Sequence, residues 1–346
     1  MRGLAQRLPT VWLKRGPIAW ALRPFAVIYA VVTSLRRWMY RTGVRQTAHL
    51  PVPVIVVGNL IAGGAGKTPT VIAIVGMLRA HGYVPGVVSR GYGRRHAGVV
   101  EVTRNTPPET SGDEPLLIHL RTGSPVVVGR DRCAATRDLL ARHAQVDVIV
   151  SDDGLQHLAL GRSAQVIVFD ERGAGNGWLL PAGPLREALP LGLPLRSLVV
   201  YNAIRPSTPL PGTLAQRTLT GVVELAAWWR GEAASRTALQ ALASRPLIAA
   251  AGVARPERFF AMLREAGLTF SPLALSDHHD YAALPWPADA ADVVLTEKDA
   301  VKLDPSRLAV TRVWVAPLDF RLDAAFDDAL LDLLPPPGTH HGNSPA

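Results

Sequence analysis

Residues 52–69 read Val-Pro-Val-Ile-Val-Val-Gly-Asn-Leu-Ile-Ala-Gly-Gly-Ala-Gly-Lys-Thr-Pro, and this stretch decides the fold. A β-branched run typical of a buried strand leads into a glycine-rich loop and then into an apolar helical pattern at 69–80. Glycines let backbone N–H groups turn inward around phosphate oxygens, and the following helix offers the positive end of its dipole. The order strand, loop, helix therefore predicts a phosphate-binding loop. Its assigned residues are Ile61, Ala62, Gly63, Gly64, Ala65, Gly66, Lys67 and Thr68.

The end of this loop, Gly66-Lys67-Thr68, matches the second half of a Walker A motif. We expect the Lys67 ammonium group to reach the β- and γ-phosphates of a nucleotide and the Thr68 hydroxyl to bind Mg²⁺. The motif normally has glycine at the position of Ile61, so the first turn departs from the pattern. An ordinary glycine turn is the alternative interpretation.

A second apolar strand, at 146–150, is followed by the acidic residues Asp152 and Asp153. Residues that follow the strands of an open parallel sheet lie at the edge where ligands bind. Carboxylates at that edge hold Mg²⁺ directly or through water. We therefore assign Thr68, Asp152 and Asp153 to a magnesium site, with a solvated acidic turn as the alternative.

Strands and helices alternate along the rest of the chain, which predicts an α/β fold. The expected architecture is a mostly parallel sheet of the P-loop NTPase type, flanked by helices, with a second, smaller α/β domain. A Pro- and Thr-rich segment at 205–212 is a candidate linker. The predicted parts are a membrane-interface helix (1–45), a phosphate-loop core (46–200), a smaller α/β domain (201–334) and a disordered tail (335–346).

Charge is distributed unevenly over the 346 residues, whose formal net charge is +9. Residues 1–100 hold 14 Lys or Arg and no Asp or Glu. This asymmetry predicts an anionic partner, such as a phospholipid surface or a phosphate-bearing substrate, although a solvated basic face is the alternative. We find none of the aromatic–basic motifs of nucleic-acid-binding modules and expect no nucleic acid partner.

The single cysteine, Cys133, excludes an internal disulfide and fits a reducing compartment.

The apolar run at 24–35, between Arg23 and Arg36, is too short to cross a bilayer, which takes about 20 apolar residues. Aromatic and basic residues surround it, and this combination is typical of a helix that lies in a membrane surface. A buried core helix and a signal peptide are the alternatives. The signal peptide is disfavoured because no small-residue cleavage site follows the run.

Further motifs follow one another in a consistent order between about residue 52 and residue 303. They are VGNL at 57–60, GGAGKTP at 63–69, SRGYG at 89–93, GDEP at 112–115, SDDGLQH at 151–157, GNG at 175–177, LPAGPLRE at 180–187, DH at 277–278 with Tyr281, and TEKDA at 296–300. As an ordered set they resemble the tetraacyldisaccharide 4′-kinase family, the lipid A 4′-kinases.

This resemblance implies transfer of the γ-phosphate of ATP, with Mg²⁺, to the 4′-hydroxyl of a tetraacyl glucosamine disaccharide 1-phosphate in lipid A biosynthesis. The substrate would be an anionic glycolipid at a membrane surface, and the enzyme would be peripheral or monotopic on the cytoplasmic face of the bacterial inner membrane. No obligate protein partner is evident. A membrane-associated P-loop GTPase or ATPase switch in protein targeting is the alternative function.

The resemblance also implies residue roles. The expected catalytic residues are Asp113 as base, His278 as its partner, Lys67 and Arg132. Without the resemblance, Asp113 is better interpreted as the N-cap of the helix that follows it. For the phosphate contact, spacing does not distinguish Arg132 from Arg130. Glu187 is assigned to Mg²⁺ or substrate. Separately, residues 296–299 follow a strand and loosely resemble the base-reading loops of P-loop GTPases, although Lys298-Asp299 departs from the Lys-x-Asp spacing of those loops, and we assign them to the nucleotide base. Expected substrate contacts are Arg90, Tyr92, Asn176 and Arg186.

Overall fold

The first eight strands form one sheet in the computed structural model, which describes residues 11–308 and 310–338. They are β1 (Val54–Gly58), β2 (Pro85–Ser89), β3 (Val100–Val102), β4 (Val126–Val128), β5 (Val148–Asp152), β6 (Ala164–Asp170), β7 (Ser197–Asn202) and β8 (Thr213–Leu214). Their order across the sheet is β3-β4-β2-β5-β1-β6-β7-β8. Only the pair β3–β4 is antiparallel, which confirms the predicted mostly parallel α/β sheet.

Strand β1 lies near the middle of this sheet, and all five of its residues are buried. It pairs in parallel with β5 on one side and β6 on the other. In the pairing with β5, Val57 lies beside Asp152. Because the strands run in the same direction, the glycine-rich loop after β1 and the acidic residues at the end of β5 meet at one edge of the sheet.

Two helices precede the sheet, α1 (Pro17–Ala21) and α2 (Arg23–Arg41). Helix α2 has 19 residues and is longer than the apolar run that predicted it. Its residue Ala26 packs with Ala19 against Trp178 and Ala182, whereas a stripe of large apolar side chains is exposed. These are Phe25, Val27, Ile28, Val31, Val32, Leu35 and Trp38. Among the residues described, no helix combines the length and apolar character needed to cross a bilayer.

The helices around the first sheet are α3 (Lys67–Ala80), α4 (Pro108–Ser111), α5 (Asp113–Thr122) and α6 (Arg132–Arg142). Helix α3 buries Val71, Ile74, Val75 and Leu78, whose spacing of three and four residues forms one face. Helix α6 begins after Asp131, whose side chain accepts hydrogen bonds from the backbone N–H groups of residues 133 and 134. Helices α3 and α6 each follow a parallel strand and so start at the edge where those strands end.

The remaining strands form a five-stranded sheet and a separate pair. The elements are β9 (Gln216–Leu219), β10 (Val223–Glu224), α7 (Leu225–Arg230), α8 (Arg236–Ala241), β11 (Leu247–Ala251), α9 (Pro256–Glu265), β12 (Ser271–Ala274), β13 (Asp292–Thr296), α10 (Glu297–Ala300), a 3₁₀ turn (Pro305–Arg307), β14 (Arg312–Ala316), β15 (Leu318–Arg321) and α11 (Ala324–Leu331). The five-stranded order is β10-β14-β13-β11-β12, and β15 pairs with β9. All neighbours in the five-stranded sheet are parallel except β10 and β14.

Two predicted boundaries differ from the structure. The candidate linker at 205–212 joins β7 to β8 inside the first sheet, because Val200 pairs with Thr213. The proposed division after residue 200 falls within β7, so the chain leaves the first sheet later than its composition indicated. The division of the chain into domains stays a prediction.

The start of the predicted disordered tail is ordered in the structure. Tyr83 donates a hydrogen bond from its hydroxyl to the carbonyl oxygen of Pro335 at 2.7 Å. The backbone N–H of Gly338 donates to Oδ2 of Asp147 at 2.9 Å. The rest of that tail, residues 339–346, lies outside the described residues, as does the first part of the predicted N-terminal helix, residues 1–10.

Candidate active site

The phosphate loop reaches α3 through a close approach that requires glycine. Gly66 has a φ of +97°, and a Cβ at this position would lie 2.1 Å from Nδ2 of Asn202. That amide group donates to the carbonyl oxygen of Ala65 at 3.0 Å. Asn59 supports the other end of the loop, since its Nδ2 donates to the carbonyl oxygen of Gly63 at 3.0 Å. The sequence predicted no role for either asparagine: Asn59 belongs to the VGNL motif, and Asn202 ends β7 outside every quoted motif.

Arg172 holds two carbonyl oxygens of the loop. It donates to the carbonyl oxygens of Ala62 at 3.2 Å and Gly64 at 2.8 Å. The fully buried carboxylate of Asp170 accepts from the Nε of Arg172 at 2.9 Å and so orients the guanidinium group. The carbonyl groups of Ala62 and Gly64 thus point toward the Arg172 guanidinium group. Loop N–H groups that have no partner within the protein can then bind an anion.

The start of the loop corrects one part of the prediction. Ile61 is fully buried and forms an isolated antiparallel bridge with Leu185. The N–H of Ala62 donates to the carbonyl oxygen of Pro184 at 2.7 Å. Because this N–H is occupied and the Ile61 side chain packs in the core, these two residues anchor the loop to segment 180–187 and offer no contact to phosphate. Their role explains why residue 61 is not glycine.

Lys67 and the acidic edge of β5 lie together, as the motif spacing indicated. The Lys67 ammonium group is 3.7 Å from Oδ1 of Asp153 and 3.4 Å from Oδ1 of Asn59. Asp152 is buried, and its Oδ2 accepts a hydrogen bond from the Ser89 hydroxyl at 3.0 Å. Its Oδ1 is buried with no hydrogen-bond partner.

The unpartnered Oδ1 makes the site fit a divalent cation. A buried carboxylate oxygen without a donor is costly, and a bound Mg²⁺ would satisfy it. Burial and the neighbouring carboxylates of Glu114 and Asp153 raise the pKa of Asp152 to about 7. By contrast, Lys67 and Arg186 outweigh burial and lower the pKa of Asp153. Asp153 is therefore firmly ionised, and Asp152 readily loses its proton when a metal ion binds.

Replacing Asp152 by asparagine is expected to stabilise the metal-free protein at alkaline pH. The folded-state pKa of about 7 lies above the ordinary value of 3.8, so folding binds a proton between these values and stability falls as pH rises toward 7. Above that pH the ionised carboxylate costs its full penalty, which Asn avoids. We expect Tm at pH 8 without Mg²⁺ to rise by about 3 °C or more. An unchanged or lower Tm at that pH would contradict the assignment.

Arg132 and Arg186 approach the acidic pair from two sides. Arg132 is buried and donates to the carbonyl oxygen of Asp153 at 3.3 Å, whereas Arg130 is exposed. Burial and the charge of Arg90 lower the pKa of Arg132, and Asp152 and Asp153 oppose this shift. Arg186 donates to Oδ1 of Asp153 at 3.0 Å. The structure thus places Arg132, not Arg130, beside the acidic pair.

Glu187 is linked to the acidic pair indirectly, through Gln156 and Arg186. Its Oε1 accepts from Gln156 at 3.0 Å, and Gln156 in turn accepts from Arg186 at 3.3 Å. Its Oε2 accepts from Arg37 of α2 at 3.3 Å, and the Tyr29 hydroxyl of α2 donates to the carbonyl oxygen of Arg186 at 3.0 Å. Helix α2 therefore contacts the segment that carries Arg186 and Glu187.

Asp113 and His278 meet although 165 residues separate them. Nδ1 of His278 lies 2.9 Å from Oδ2 of Asp113. Burial alone would raise the pKa of Asp113, but the hydrogen bond with His278 and the charges of Lys298 and Lys302 lower it overall. The same hydrogen bond raises the pKa of His278, against the effects of burial and Lys298. The cap interpretation is wrong, because Gly112 is the N-cap and no side chain caps this helix.

The phosphate loop and two residues that contact this pair, Glu114 and Lys298, line one cavity between the two sheets. Its volume is about 440 Å³. Residues 64–69 and Glu114 lie on one wall, and Lys298 lies on the other. The apolar lining includes Leu219, Phe259, Met262 and Phe320. A cleft with a phosphate loop at one end and apolar side chains around it matches the size and character of a nucleotide site.

The predicted substrate contacts have different surroundings. Arg90 is exposed, and Tyr92 is 67% exposed with its ring centroid 5.6 Å from that of His278. Asn176 is buried, its amide donates to the carbonyl oxygen of Ala182 at 2.9 Å, and its Oδ1 accepts from the N–H of Trp178 at 3.0 Å. Its Nδ2 also lies 3.4 Å from the carbonyl oxygen of Lys14, so its side-chain groups are occupied within the protein, and the substrate role of Asn176 stays a prediction.

The base-recognition role expected for residues 296–299 stays a prediction, since Thr296, Glu297 and Lys298 line the cavity. Asp299 is fully buried and accepts hydrogen bonds from the N–H of Gly252 at 3.0 Å and the Thr296 hydroxyl at 2.7 Å. Its carboxylate is committed to joining β11 to α10 and is not available to a nucleotide base. Lys298, which the sequence analysis left without a role of its own, reaches the Asp113–His278 pair from the same segment.

This combination of a Gly-Lys-Thr loop, an acidic strand end and an acid–histidine pair around one cleft defines a P-loop phosphotransferase. The family model described as tetraacyldisaccharide-1-P 4′-kinase matches residues 18–335. The chain belongs to the tetraacyldisaccharide 4′-kinase family. The alternative of a targeting switch is not supported by this membership.

Relatives named tetraacyldisaccharide 4′-kinase match almost the whole chain. The protein of Methylibium petroleiphilum is 57% identical over 94% of this chain and 92% of its own. That of Leptothrix cholodnii is 53% identical over 96% and 97%. Among solved structures, an "apo" form of LpxK from Aquifex aeolicus in complex with ATP has a TM-score of 0.74 and 25% identity, covering 92% of this chain and 100% of that one.

Proposed function

We propose that this chain transfers the γ-phosphate of ATP to the 4′-hydroxyl of a tetraacyl glucosamine disaccharide 1-phosphate, the lipid A precursor. The observation that carries the proposal is the shared cleft. Lys67 lies on its loop side, and Glu114 and Lys298, which adjoin the Asp113–His278 pair, lie on its walls. The phosphate loop and the neighbours of the Asp113–His278 pair thus share one cavity.

The phosphate end of the site is assigned to five residues of this chain. Lys67 neutralises charge on the transferring group, and Arg132 lies next to the same acidic edge. Asp152, Asp153 and Thr68 would hold Mg²⁺, which when bound neutralises the charge that develops on the phosphate oxygens. Glu187 supports this edge through Gln156 and Arg186.

The sugar end of the site is assigned to Asp113. Its Oδ2 faces His278, and its Oδ1 accepts from the N–H of Glu114 at 3.0 Å, which directs the carboxylate. Because its pKa is lowered, Asp113 is ionised at neutral pH and accepts the proton of the attacking 4′-hydroxyl as the phosphate leaves ATP. Arg90 and Tyr92, which are exposed, with the Tyr92 ring next to His278, are assigned to the anionic glycolipid.

The membrane contact is assigned to the exposed apolar stripe of α2. One face of this helix packs on Trp178 and Ala182, and the opposite face has nothing packed on it among the described residues. Basic residues flank the stripe, and one of them, Arg37, pairs with Glu187 beside the acidic edge. A monotopic position on the cytoplasmic face of the inner membrane would bring an acylated substrate to this side of the cleft.

Replacing Ile28, Val31 and Leu35 together by serine is expected to weaken binding to anionic phospholipid vesicles at least tenfold. Each side chain loses about 1 kcal/mol or more of apolar transfer energy, and α2 keeps its contacts with Trp178. Vesicle co-sedimentation measures the change. The matched control replaces Leu191, Leu195 and Ile204, which are exposed elsewhere, by serine. Equal binding by both triple variants would exclude α2 as the contact.

The direct test of the function is incubation of the pure protein with γ-labelled ATP, Mg²⁺ and the tetraacyl disaccharide 1-phosphate in mixed micelles. Label in the lipid fraction is the expected result. A disaccharide with its 4′-hydroxyl replaced by hydrogen is the control acceptor and should stay unlabelled. Label released only as inorganic phosphate would reject the proposal.

A further inference from the structure

Lysine is rare in this chain, where it provides four of the 37 basic residues. Three of the four lie at the site: Lys67 follows the glycine-rich loop, and Lys298 and Lys302 lie next to the Asp113–His278 pair. An ammonium group is compact and directs its hydrogens around one nitrogen, whereas a guanidinium group is a planar fork. Lys298 and Lys302 are therefore positions where a compact ammonium group is used instead of a guanidinium group.

Lys298 has three acceptors around its single nitrogen. Nζ is 3.0 Å from Oε1 of Glu114, 3.4 Å from Oδ1 of Asp277 and 3.4 Å from Nε2 of His278. Burial lowers the pKa of Lys298, but Glu114, Asp113 and Asp277 outweigh burial and raise it overall. Lys298 is therefore a charged group with donors and no acceptor, and Nε2 of His278 takes part in this contact as an acceptor.

This contact determines which nitrogen of His278 carries a proton. A neutral imidazole that accepts at Nε2 has its hydrogen on Nδ1, and Nδ1 is the atom that faces Asp113. The opposite tautomer would direct a lone pair at a carboxylate. An imidazolium would direct a second N–H at the ammonium group. Only one of the three forms satisfies both neighbours.

We propose that Lys298 is a positioning residue for proton transfer, which holds the His278 ring with Nδ1–H directed at Asp113 and opposes protonation of Nε2. The inference rests on the proposed role of Asp113 as base. Without Lys298 the ring becomes an imidazolium more easily, and an imidazolium next to Asp113 makes that carboxylate a weaker base.

The charged groups that face His278 come from every element around it. Asp113 lies on α5, Lys298 lies on α10, and Asp277 lies on the loop of His278 itself, with its Oδ1 at 3.9 Å from Nε2. The Tyr92 ring covers one side. Lys302 is 3.8 Å from Oδ2 of Asp113 and 3.3 Å from Oδ1 of Asp299, so it acts on the carboxylate and does not contact the imidazole in the structure.

The test uses Lys298→Met, which keeps the length of the side chain and removes its charge. We expect kcat at pH 7 to fall about 10- to 100-fold, KM for ATP to change less than threefold, and activity to recover partly at higher pH. The acid limb of the kcat profile should move up by about one pH unit. NMR of isotope-labelled histidine should show His278 as imidazolium at a pH where it is neutral in the parent protein. Arg230→Met, which removes an exposed cation paired with Glu232, is the control.

A purely structural role would give a different result. A loss of kcat that is the same at every pH, with the acid limb unmoved, would overturn the proposal. In an Asp113→Asn background, Lys298→Met should lower kcat by less than twofold further, because the group through which it acts is gone. Independent losses in the double variant would also overturn it. Full turnover by Asp113→Asn alone would instead reject the proposed base, which separates the two failures.

Discussion

Replacement of Lys67 by alanine is expected to lower kcat/KM for phosphoryl transfer at least a thousandfold, a loss of about 4 kcal/mol of transition-state stabilisation. Lys67 is the basic residue of the phosphate loop, and its ammonium group lies between Asn59 and Asp153. No neighbour replaces it, because Arg132 and Arg186 already donate to Asp153. Steady-state assays with the disaccharide acceptor measure the effect.

The control for this change is Arg142→Ala, which removes an exposed cation paired with Asp138 on α6. It should leave kcat/KM within twofold of the parent protein. Circular dichroism and thermal unfolding of both variants would show whether the sheet is intact, since Lys67 is at the first position of α3. Turnover within tenfold of the parent in a folded Lys67→Ala protein would remove the loop from the mechanism.

Replacement of Asp113 by asparagine is expected to lower kcat about 10²- to 10⁴-fold while KM for ATP changes only a few-fold. Asparagine keeps the shape of the side chain and can still accept at the position that His278 faces, but it cannot take up a proton. The loss therefore appears in turnover more than in nucleotide affinity.

The pKa of Asp113 is lowered, and this determines how pH acts on the parent protein. The carboxylate stays ionised below the usual range for aspartate, so its own protonation costs activity only at strongly acid pH. Loss of activity nearer neutrality reports protonation of His278, whose pKa is raised.

The control for Asp113→Asn is Asp304→Asn, which alters an exposed capping residue of the 3₁₀ turn and should leave kcat unchanged. A change confined to KM for ATP in Asp113→Asn would reject the base role.

Sequence patterns predicted the central strands and missed the edges of the sheets. Runs such as 54–57 and 148–150 are buried on both faces, so their β-branched composition is decided by burial alone. Strands β3, β8 and β10 have two or three residues each, and such short strands carry no periodic signal. Their pairing depends on neighbours that are distant in the chain.

The residues of the site also divide into those that local motifs predict and those that depend on contacts between distant parts of the chain. The phosphate loop and the acidic strand end are local motifs, and each is readable within ten residues. The pairing of Asp113 with His278 came from the family resemblance alone, because 165 residues separate the two. Asn59 and Lys298 belong to quoted motifs that did not predict their contacts, and the contacts of Asn202 and Lys298 arise only when strands and sheets pack together.

The hydrogen bond between Asp113 and His278 makes the position of one sheet against the other part of the site. Asp113 starts a helix that packs on the first sheet, and His278 follows a strand of the second, so the pair forms only when both sheets are in place. A misplacement of about 1 Å can reduce a rate a hundredfold. A substitution far from the cleft that shifts one sheet against the other would therefore lower turnover even though every residue of the site is kept.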